Sequence, residues 1–224
     1  MEKAVFNWSG GKDSALALYK AKPLYNIQYL LTTVNNAYKR VSMHGVRESL
    51  LDRQAESLGI ELLKAGMPEN AVMEEYEKIM NTHITKIKSE GIGVSIFGDI
   101  FLEDIREYRE SKLRQQNIKA VFPLWKKDTR DVALEFISLG FKAIVVCVDG
   151  SKLSKDFAGR DIDGQFLADL PKDVCPCGEN GEYHSFVYDG PIFANRIAFK
   201  TSGVTERELC ANGKKYVNYY CDLE

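Results

Sequence analysis

A short polar turn near the start of the chain contains the residue types that bind polyphosphates. It lies between an apolar run that ends at Trp8 and a helix-like pattern that starts at Ala15. Adjacent glycines let the backbone approach a bulky anion, and the amides and dipole of the next helix favour negative charge. A lysine charge and hydroxyl donors complete the pattern, which indicates a nucleotide site. Its residues are Ser9, Gly10, Gly11, Lys12, Asp13 and Ser14.

This turn departs from two familiar nucleotide-binding motifs. A Walker A loop requires a glycine where Phe6 stands and a hydroxyl residue where Asp13 stands. The Rossmann fingerprint requires spaced glycines and a third glycine, whereas these two are adjacent. A simpler interpretation stays open, in which Asp13 or Ser14 caps the helix after an ordinary tight turn.

Several motifs together resemble the N-type ATP pyrophosphatases, the PP-loop family that includes diphthine–ammonia ligases. The turn Ser9–Ser14 is one, and the segment Cys177–His184, Cys-Gly-Glu-Asn-Gly-Glu-Tyr-His, is the most specific. Shorter matches are Gly98–Phe101, Pro123–Trp125 and Asp189–Phe193. The resemblance covers most of the chain, from residue 4 to about residue 193.

Alternating apolar runs and helical patterns predict a doubly wound α/β fold. Continuous apolarity at 4–6, 29–34, 94–97 and 143–148 predicts parallel strands that are buried on both faces. Three amphipathic segments end at glycine, which is typical of helices: they close at Gly59, Gly91 and Gly140. We expect a mostly parallel Rossmann-like sheet, of the HUP type that the resemblance implies.

The pattern of residue types changes after Asp149, where polar, glycine-containing segments alternate with short apolar runs. A short helix at 165–170 and strands at 184–188, 196–200 and 216–220 indicate a smaller C-terminal α+β unit. We expect a nucleotide-binding PP-loop domain at 1–124 and an acceptor-side domain at 125–224.

The resemblance implies roles for polar groups at the carboxyl edge of the sheet, where open α/β folds bind ligands. Lys12 is expected to neutralise charge as the bond between the α and β phosphates of ATP breaks. Asp99, next to the strand end at Gly98, could hold Mg²⁺ or orient a ligand water, and Asp13 could contact this ion or hold the loop. The fold of the family implies that adenine lies against the backbone near Thr32, Thr33 and Val34.

A second acidic turn lies within Cys177–His184. Glu179 and Glu182 could bind ammonium, hold Mg²⁺ or take a proton from ammonia, and His184 could hydrogen-bond the substrate carboxylate. Further residues expected to bind substrate are His44, Asn180 and Tyr183.

Each of these roles has a plainer alternative. The acidic turn resembles any solvated turn before a strand, Asp99 could cap the helix that begins at Glu103, and His44 could cap or pack. Cys175 and Cys177 are expected to be ordinary reduced cysteines, because a zinc site needs two further ligands at suitable spacing.

Composition narrows the class of protein. The chain has 224 residues and a formal net charge of −2, which does not indicate a nucleic-acid or membrane partner. No apolar run reaches the roughly 20 residues that cross a bilayer, and we expect no signal peptide, because Met1–Lys3 leads directly into the first predicted strand. Five cysteines, an odd number, predict no disulfide framework, so we expect a cytoplasmic setting.

Together these features predict an ATP-dependent amide ligase. By resemblance, the carboxylate of diphthine on elongation factor 2 would be adenylated, and ammonia would then release AMP. Its partners would be ATP, ammonium and the acceptor, and a homodimer stays open. Two alternatives remain: the same chemistry on another carboxylate or a ureido group, and an ATP-binding sensor without turnover. The tRNA-thiolating branch is disfavoured, because paired Cys-x-x-Cys motifs are missing.

Overall fold

The structure, a computed structural model, describes residues 1–41, 45–211 and 214–224. Its first half contains β1 (Lys3–Asn7), α1 (Lys12–Ala21), β2 (Asn26–Asn35), β3 (Arg40–Val41), α2 (Glu48–Leu58), β4 (Glu61–Met67), α3 (Met73–Ser89), β5 (Val94–Ile96), α4 (Glu103–Gln115) and β6 (Lys119–Val121). Its second half contains α5 (Thr129–Ser138), β7 (Lys142–Asp149), a 3₁₀ turn (Lys155–Phe157), α6 (Gly164–Asp169), β8 (Tyr183–Asp189), β9 (Thr201–Ala211) and β10 (Lys214–Leu223).

The first sheet is the expected Rossmann-like sheet. Its parallel strands are ordered β4-β2-β1-β5-β6, and the short β3 pairs antiparallel with the end of β2. The chain moves from β1 to β2 on one side, and β5 later pairs on the other side of β1. The strand order therefore reverses at β1, and the crevice beyond β1 and β5 is where such folds bind ligands.

The second sheet is antiparallel, with the order β8-β7-β10-β9. The predicted parallel strand at 143–148 was therefore wrong in its pairing, because these residues form β7 in this second sheet. Six consecutive residues of β7, Ala143–Val148, are buried. An inner strand that is covered on both faces needs the same continuous apolarity as a parallel strand, so periodicity could not separate the two.

The predicted strand at 196–200 was also wrong. Ile197 is buried and Phe199 half-buried, which gives the alternation of a strand. Only isolated backbone bonds form there: the amide of Ile197 donates to the carbonyl of Tyr188, and Lys200 pairs with Glu224. The segment is extended without a ladder, and β9 begins at Thr201.

One hydrophobic core joins the two sheets. It contains Phe6 of β1 and Leu16 of α1 together with Phe136 of α5, Val145 of β7 and Phe186 of β8. A smaller core lies on the other face of the first sheet, beneath α3 and α4. This packing places β8 against the start of α1. The boundary between two domains after residue 124 stays a prediction. No helix in the described ranges is long and apolar enough to cross a membrane.

Candidate active site

The glycine-rich turn connects β1 to α1, and its hydroxyl groups bond to each other. Gly11 is the N-cap of α1, and no side chain caps the helix, so neither Asp13 nor Ser14 takes that role. The Ser9 and Ser14 hydroxyl oxygens lie 2.8 Å apart, and the Gly11 amide donates to the Ser9 hydroxyl at 3.2 Å. The serines therefore fix the shape of the turn from within.

A buried glutamine holds the back of this turn. Gln54 of α2 donates from Nε2 to the carbonyl oxygens of Gly10, at 3.1 Å, and Val187, at 2.6 Å. Its Oε1 accepts from the indole of Trp8 at 2.9 Å. Gly10 has a φ of +80°, and a Cβ there would lie 2.9 Å from both Gln54 Oε1 and a methyl of Leu51. Nothing in the sequence pattern pointed to Gln54.

Lys12 is buried between the turn and the second acidic segment. Its ammonium, in a side chain that is 3% exposed, donates to Asp13 Oδ2 at 2.6 Å and to the Cys177 carbonyl. The nitrogen also lies 5.3 Å from the centre of the Tyr183 ring, and the Lys12 amide donates to the Ser185 hydroxyl at 3.2 Å. Burial, the largest single effect, would lower the pKa of Lys12, but the charge of Asp13, the hydrogen bond to it and the interactions with Tyr183 and Cys177 together raise the pKa, so the side chain stays charged.

Asp99 follows β5 and is tied to a neighbouring helix. Its carboxylate accepts a hydrogen bond from the guanidinium of Arg109, and the N-cap of α4 is Leu102, so Asp99 is not the helix cap. Burial raises the pKa of Asp99, against the opposing effect of Arg109. Arg109 also lies 4.6 Å from the Phe97 ring centre. Sequence reasoning missed Arg109, which lies two helical turns into α4.

Gly98 allows the ends of β5 and α1 to meet. A Cβ on Gly98 would lie 3.0 Å from the Ser14 amide nitrogen and 3.1 Å from the carbonyl carbon of Asp13. Both contacts are with backbone, which cannot give way as a flexible side chain would. Because residue 98 is a glycine, the chain after β5, including Asp99, can lie directly against the first turn of α1, where Asp13 is.

The two aspartates fit the requirements of a magnesium ion that is bound with a nucleotide. Asp13 Oδ1 is buried and has no hydrogen-bond partner, while Oδ2 pairs with Lys12. Among the described residues, no group of three or more histidine, cysteine, aspartate or glutamate side chains could hold a metal ion. Mg²⁺ commonly takes only one or two carboxylates and completes its shell with phosphate oxygens and water.

Glu179 and Glu182 occupy different environments in the second turn. Glu179 Oε2 accepts from the Ile100 amide at 3.3 Å. Burial, followed by the charge of Asp13, raises the pKa of Glu179 to about 7. Glu182, 2% exposed, accepts from the amides of Cys175 (3.0 Å) and Asn180 (2.9 Å) and from the Asn180 side chain (2.9 Å). Burial opposes ionisation of Glu182, but these bonds keep its pKa lowered.

His184 and Tyr183 begin β8 beside Lys12. Burial, with a smaller effect of the Lys12 charge, lowers the pKa of His184 to about 4, so the imidazole is neutral at neutral pH. The Tyr183 hydroxyl donates to the Pro176 carbonyl at 2.6 Å, and burial raises its pKa. Cys177 donates from its thiol to the Thr129 carbonyl at 3.1 Å, and burial raises its pKa. Cys147, Cys175, Cys177 and Cys221 are free thiols.

A cavity of about 670 Å³ brings most of the predicted residues together. Gly10 and Glu182 are not among the residues that line it, and His44 lies outside the described residues. Ser185 and Arg109 line it without having been predicted. The predicted residues in its wall are Ser9, Gly11, Lys12, Asp13, Ser14, Thr33, Gly98, Asp99, Glu179, Asn180, Tyr183 and His184.

The sequence matches two family models in succession. Residues 1–120 match the diphthamide synthase N-terminal domain, and residues 128–218 match the diphthamide synthase C-terminal domain. The diphthine–ammonia ligase of Bos taurus is 26% identical over 227 residues, which cover 88% of this chain and 82% of the relative. The diphthine–ammonia ligase of Homo sapiens is 31% identical over 127 residues, which cover 54% of this chain and 47% of the relative.

One solved structure, described as a predicted subunit of tRNA methyltransferase from Methanocaldococcus jannaschii, aligns with a TM-score of 0.44 at 16% identity. The alignment covers 85% of this chain and 100% of that chain.

Proposed function

Because the chain belongs to the diphthamide synthase family, we propose that it is an ATP-dependent ligase that converts a carboxylate and ammonia into an amide. The acceptor is the diphthine side chain of elongation factor 2, since the curated relatives bear the name diphthine–ammonia ligase. The observation that carries the proposal is the buried Lys12 ammonium, which links the phosphate-binding turn to the acidic segment across the cavity.

In the first step, an oxygen of the acceptor carboxylate attacks the α-phosphate of ATP. A new oxygen–phosphorus bond forms, the bond between the α-phosphate and the bridging oxygen breaks, and pyrophosphate leaves. Lys12 and the amides at the start of α1 stabilise the charge that develops on the departing group. The tight packing behind Gly10 holds these amides in place before ATP arrives.

Mg²⁺ fits this step through Asp13 and Asp99. Asp13 offers a buried oxygen with no hydrogen-bond partner, and the Arg109 contact orients the Asp99 carboxylate. When bound, the ion would neutralise phosphate charge and polarise the reacting phosphorus.

In the second step, ammonia attacks the carbonyl carbon of the acyl-adenylate. The amide bond forms, the carbon–oxygen bond to AMP breaks, and AMP leaves with that oxygen. Ammonium must lose a proton to become a nucleophile, and the attacking nitrogen loses another as the amide forms. Glu179, which has a pKa of about 7 and lines the cavity, is the proposed proton acceptor. Glu182 positions this turn through its bonds to Asn180 and Cys175.

The substrate oxygen provides a direct test. The full chain is incubated with MgATP, ammonium and diphthine-bearing elongation factor 2 whose acceptor carboxylate carries ¹⁸O. We expect AMP and pyrophosphate, with one ¹⁸O atom in the AMP. ADP and phosphate, or AMP without the label, would contradict the mechanism. Tight ATP binding without product at any acceptor concentration would favour the sensor alternative.

A further inference from the structure

A second cavity, of about 830 Å³, lies beside the first. Its walls come from the carboxyl ends of β2 and β4, from β3, and from the β9–β10 hairpin. Thr33, Val41 and Tyr76 line both cavities, so the two share a wall. The second cavity therefore borders the first, which the glycine-rich turn lines.

The lining of the second cavity suits a cation that donates no hydrogen bonds. It presents three tyrosines, Tyr38, Tyr76 and Tyr220, and the thioethers of two methionines. Aromatic faces attract quaternary ammonium groups, and a nearby carboxylate adds to the attraction. Glu69 supplies such a carboxylate, and the Tyr38 hydroxyl donates to it. The methionines are Met67 and Met73.

Two arginines line the second cavity, and each already has a partner there. The guanidinium of Arg40 donates two hydrogen bonds to the carboxylate of Asp222, at 2.7 and 3.1 Å. Arg207 lies with its guanidinium carbon 5.5 Å from the centre of the Tyr220 ring. The Tyr220 ring therefore already has a cation beside it, supplied by a side chain of the exposed strand β9. A ligand ammonium would compete with Arg207 for this ring.

The backbone fixes the position of the Tyr220 ring. Tyr220 lies on β10 and pairs with Cys147 of β7 on one side and Thr205 of β9 on the other. Gly45 has a φ of +69°, and a Cβ there would lie 3.2 Å from two carbons of the Tyr220 ring. Strand pairing and this glycine contact hold the ring in a defined place against the cavity.

We propose that the second cavity, where it meets the first, binds a quaternary ammonium group of the acceptor and thereby leaves the carboxylate on the adjacent carbon facing the first cavity. This inference rests on the proposed function, because that function supplies the acceptor. Diphthine has the required chemistry, with a trimethylammonium group on the carbon next to its carboxylate. The cavity would then select acceptors that carry this permanent charge.

The test uses a truncated acceptor as a probe. Binding of 2-(trimethylammonio)butanoate to the full chain is measured by ligand-observed NMR and compared with 2-ethyl-3,3-dimethylbutanoate, the isostere in which carbon replaces the charged nitrogen. We expect the cationic probe to bind at least about fivefold more tightly, because the ring contacts depend on its charge. Equal affinity, or no detectable binding of the cationic probe, would overturn the inference.

Variants locate the probe in the second cavity. Tyr220→Leu should weaken probe binding by about three- to tenfold, whereas Tyr220→Phe should retain it because the ring remains. Tyr38→Leu, at a side chain that is 57% exposed, gives the same test without risk to the core. Arg207→Gln should tighten binding by removing the competing cation. Unchanged affinity in both leucine variants would refute the site.

Parallel measurements separate this inference from the proposed function. MgATP affinity and AMP formation are measured on the same protein samples with diphthine-bearing elongation factor 2. If AMP forms but the leucine variants leave probe affinity unchanged, only the second-cavity site fails. If the probe binds as expected but no AMP forms, the ligase function fails while the ammonium site is supported.

Discussion

The side-chain ammonium of Lys12 donates to the backbone carbonyl of Cys177, although 165 residues separate them. Strand β8, which follows Cys177 in the chain, contacts the turn at two further residues. Ser185 accepts from the Lys12 amide at 3.2 Å, and the Val187 amide donates to the Gly10 carbonyl at 2.9 Å. The glycine-rich turn is therefore held in place by contacts from both halves of the chain.

Removal of the Lys12 charge should abolish adenylate formation while the protein stays folded. For Lys12→Ala we expect a loss of at least about 100-fold in pyrophosphate release, because the charge on the leaving group loses its buried counter-charge. Lys20→Ala is the matched control, since Lys20 lies on the same helix and pairs with Glu135. Near-normal turnover in Lys12→Ala, measured with coupled pyrophosphate detection, would contradict the assignment.

Gln54 should control nucleotide affinity without contacting the nucleotide. Gln54→Leu removes the bonds to Gly10, Val187 and Trp8; the Gly10 carbonyl keeps its bond from the Val187 amide, but the Trp8 indole loses its buried partner, at a cost of about 1–3 kcal/mol. We expect a lower melting temperature and ATP binding weakened by about tenfold or more, measured by calorimetry below the melting transition. Gln165→Leu, at an exposed glutamine, should change neither quantity.

The sequence predicted the strand–turn–helix at the front of the site because its signals are local. In the segment Ser9–Ser14, the two glycines predict the turn, and the lysine and the serines predict a positive charge and hydroxyl donors there. Gln54 and Arg109 could not be found in this way, because their roles come from tertiary contacts with residues far along the chain. The pairing of β7 failed for a related reason: burial on both faces leaves no alternation that would distinguish parallel from antiparallel partners.

Loss of either aspartate carboxylate should raise the magnesium requirement. For Asp13→Asn and Asp99→Asn we expect the Mg²⁺ concentration for half-maximal pyrophosphate release to rise by about tenfold or more, because a charged oxygen ligand is removed. Asp163→Asn is a control, since Asp163 caps α6. Mn²⁺ binding in the presence of ATP, followed by electron paramagnetic resonance, checks the same point without catalysis. Unaltered metal titrations in both variants would exclude these two ligands.

Chelation should remove activity from the intact protein. Excess EDTA should stop pyrophosphate release, and added Mg²⁺ should restore it, because the phosphate charge is then left without its metal counter-ion. The melting temperature without nucleotide should stay unchanged on EDTA treatment, since the core that joins both sheets is apolar. Full turnover in EDTA would show that the two aspartates have another role.

Glu179 should give the amidation step an inflection near pH 7. Below that pH the carboxylate, whose pKa is about 7, is protonated and accepts no further proton, so the rate should fall. Glu179→Gln should lack the inflection and lose about 100-fold or more in rate. Single-turnover reaction of preformed acyl-adenylate with ammonia, from pH 5.5 to 8.5, measures this directly. A profile that is identical in both proteins would argue against Glu179 as the base.

The Glu179 carboxyl should lower the stability of the folded protein as the pH rises, whereas it should raise the rate of amidation. The pKa of Glu179 rises from its ordinary value of 4.5 to about 7, so between these values the folded state binds more protons than the unfolded state. The Glu179 contribution to the free energy of unfolding therefore falls as pH rises through this window. Relative to the parent protein, Glu179→Gln should gain stability between pH 5 and pH 8. Urea unfolding without nucleotide tests the sign, and a constant difference would refute it.

The bond between the Val187 amide and the Gly10 carbonyl has a consequence for biosynthesis. During translation, the glycine-rich segment leaves the ribosome long before its distant partners exist. The hydrogen bonds that β8 makes to this segment can form only after residue 187 has been synthesised, so the glycine-rich turn reaches its final set of contacts late in chain synthesis.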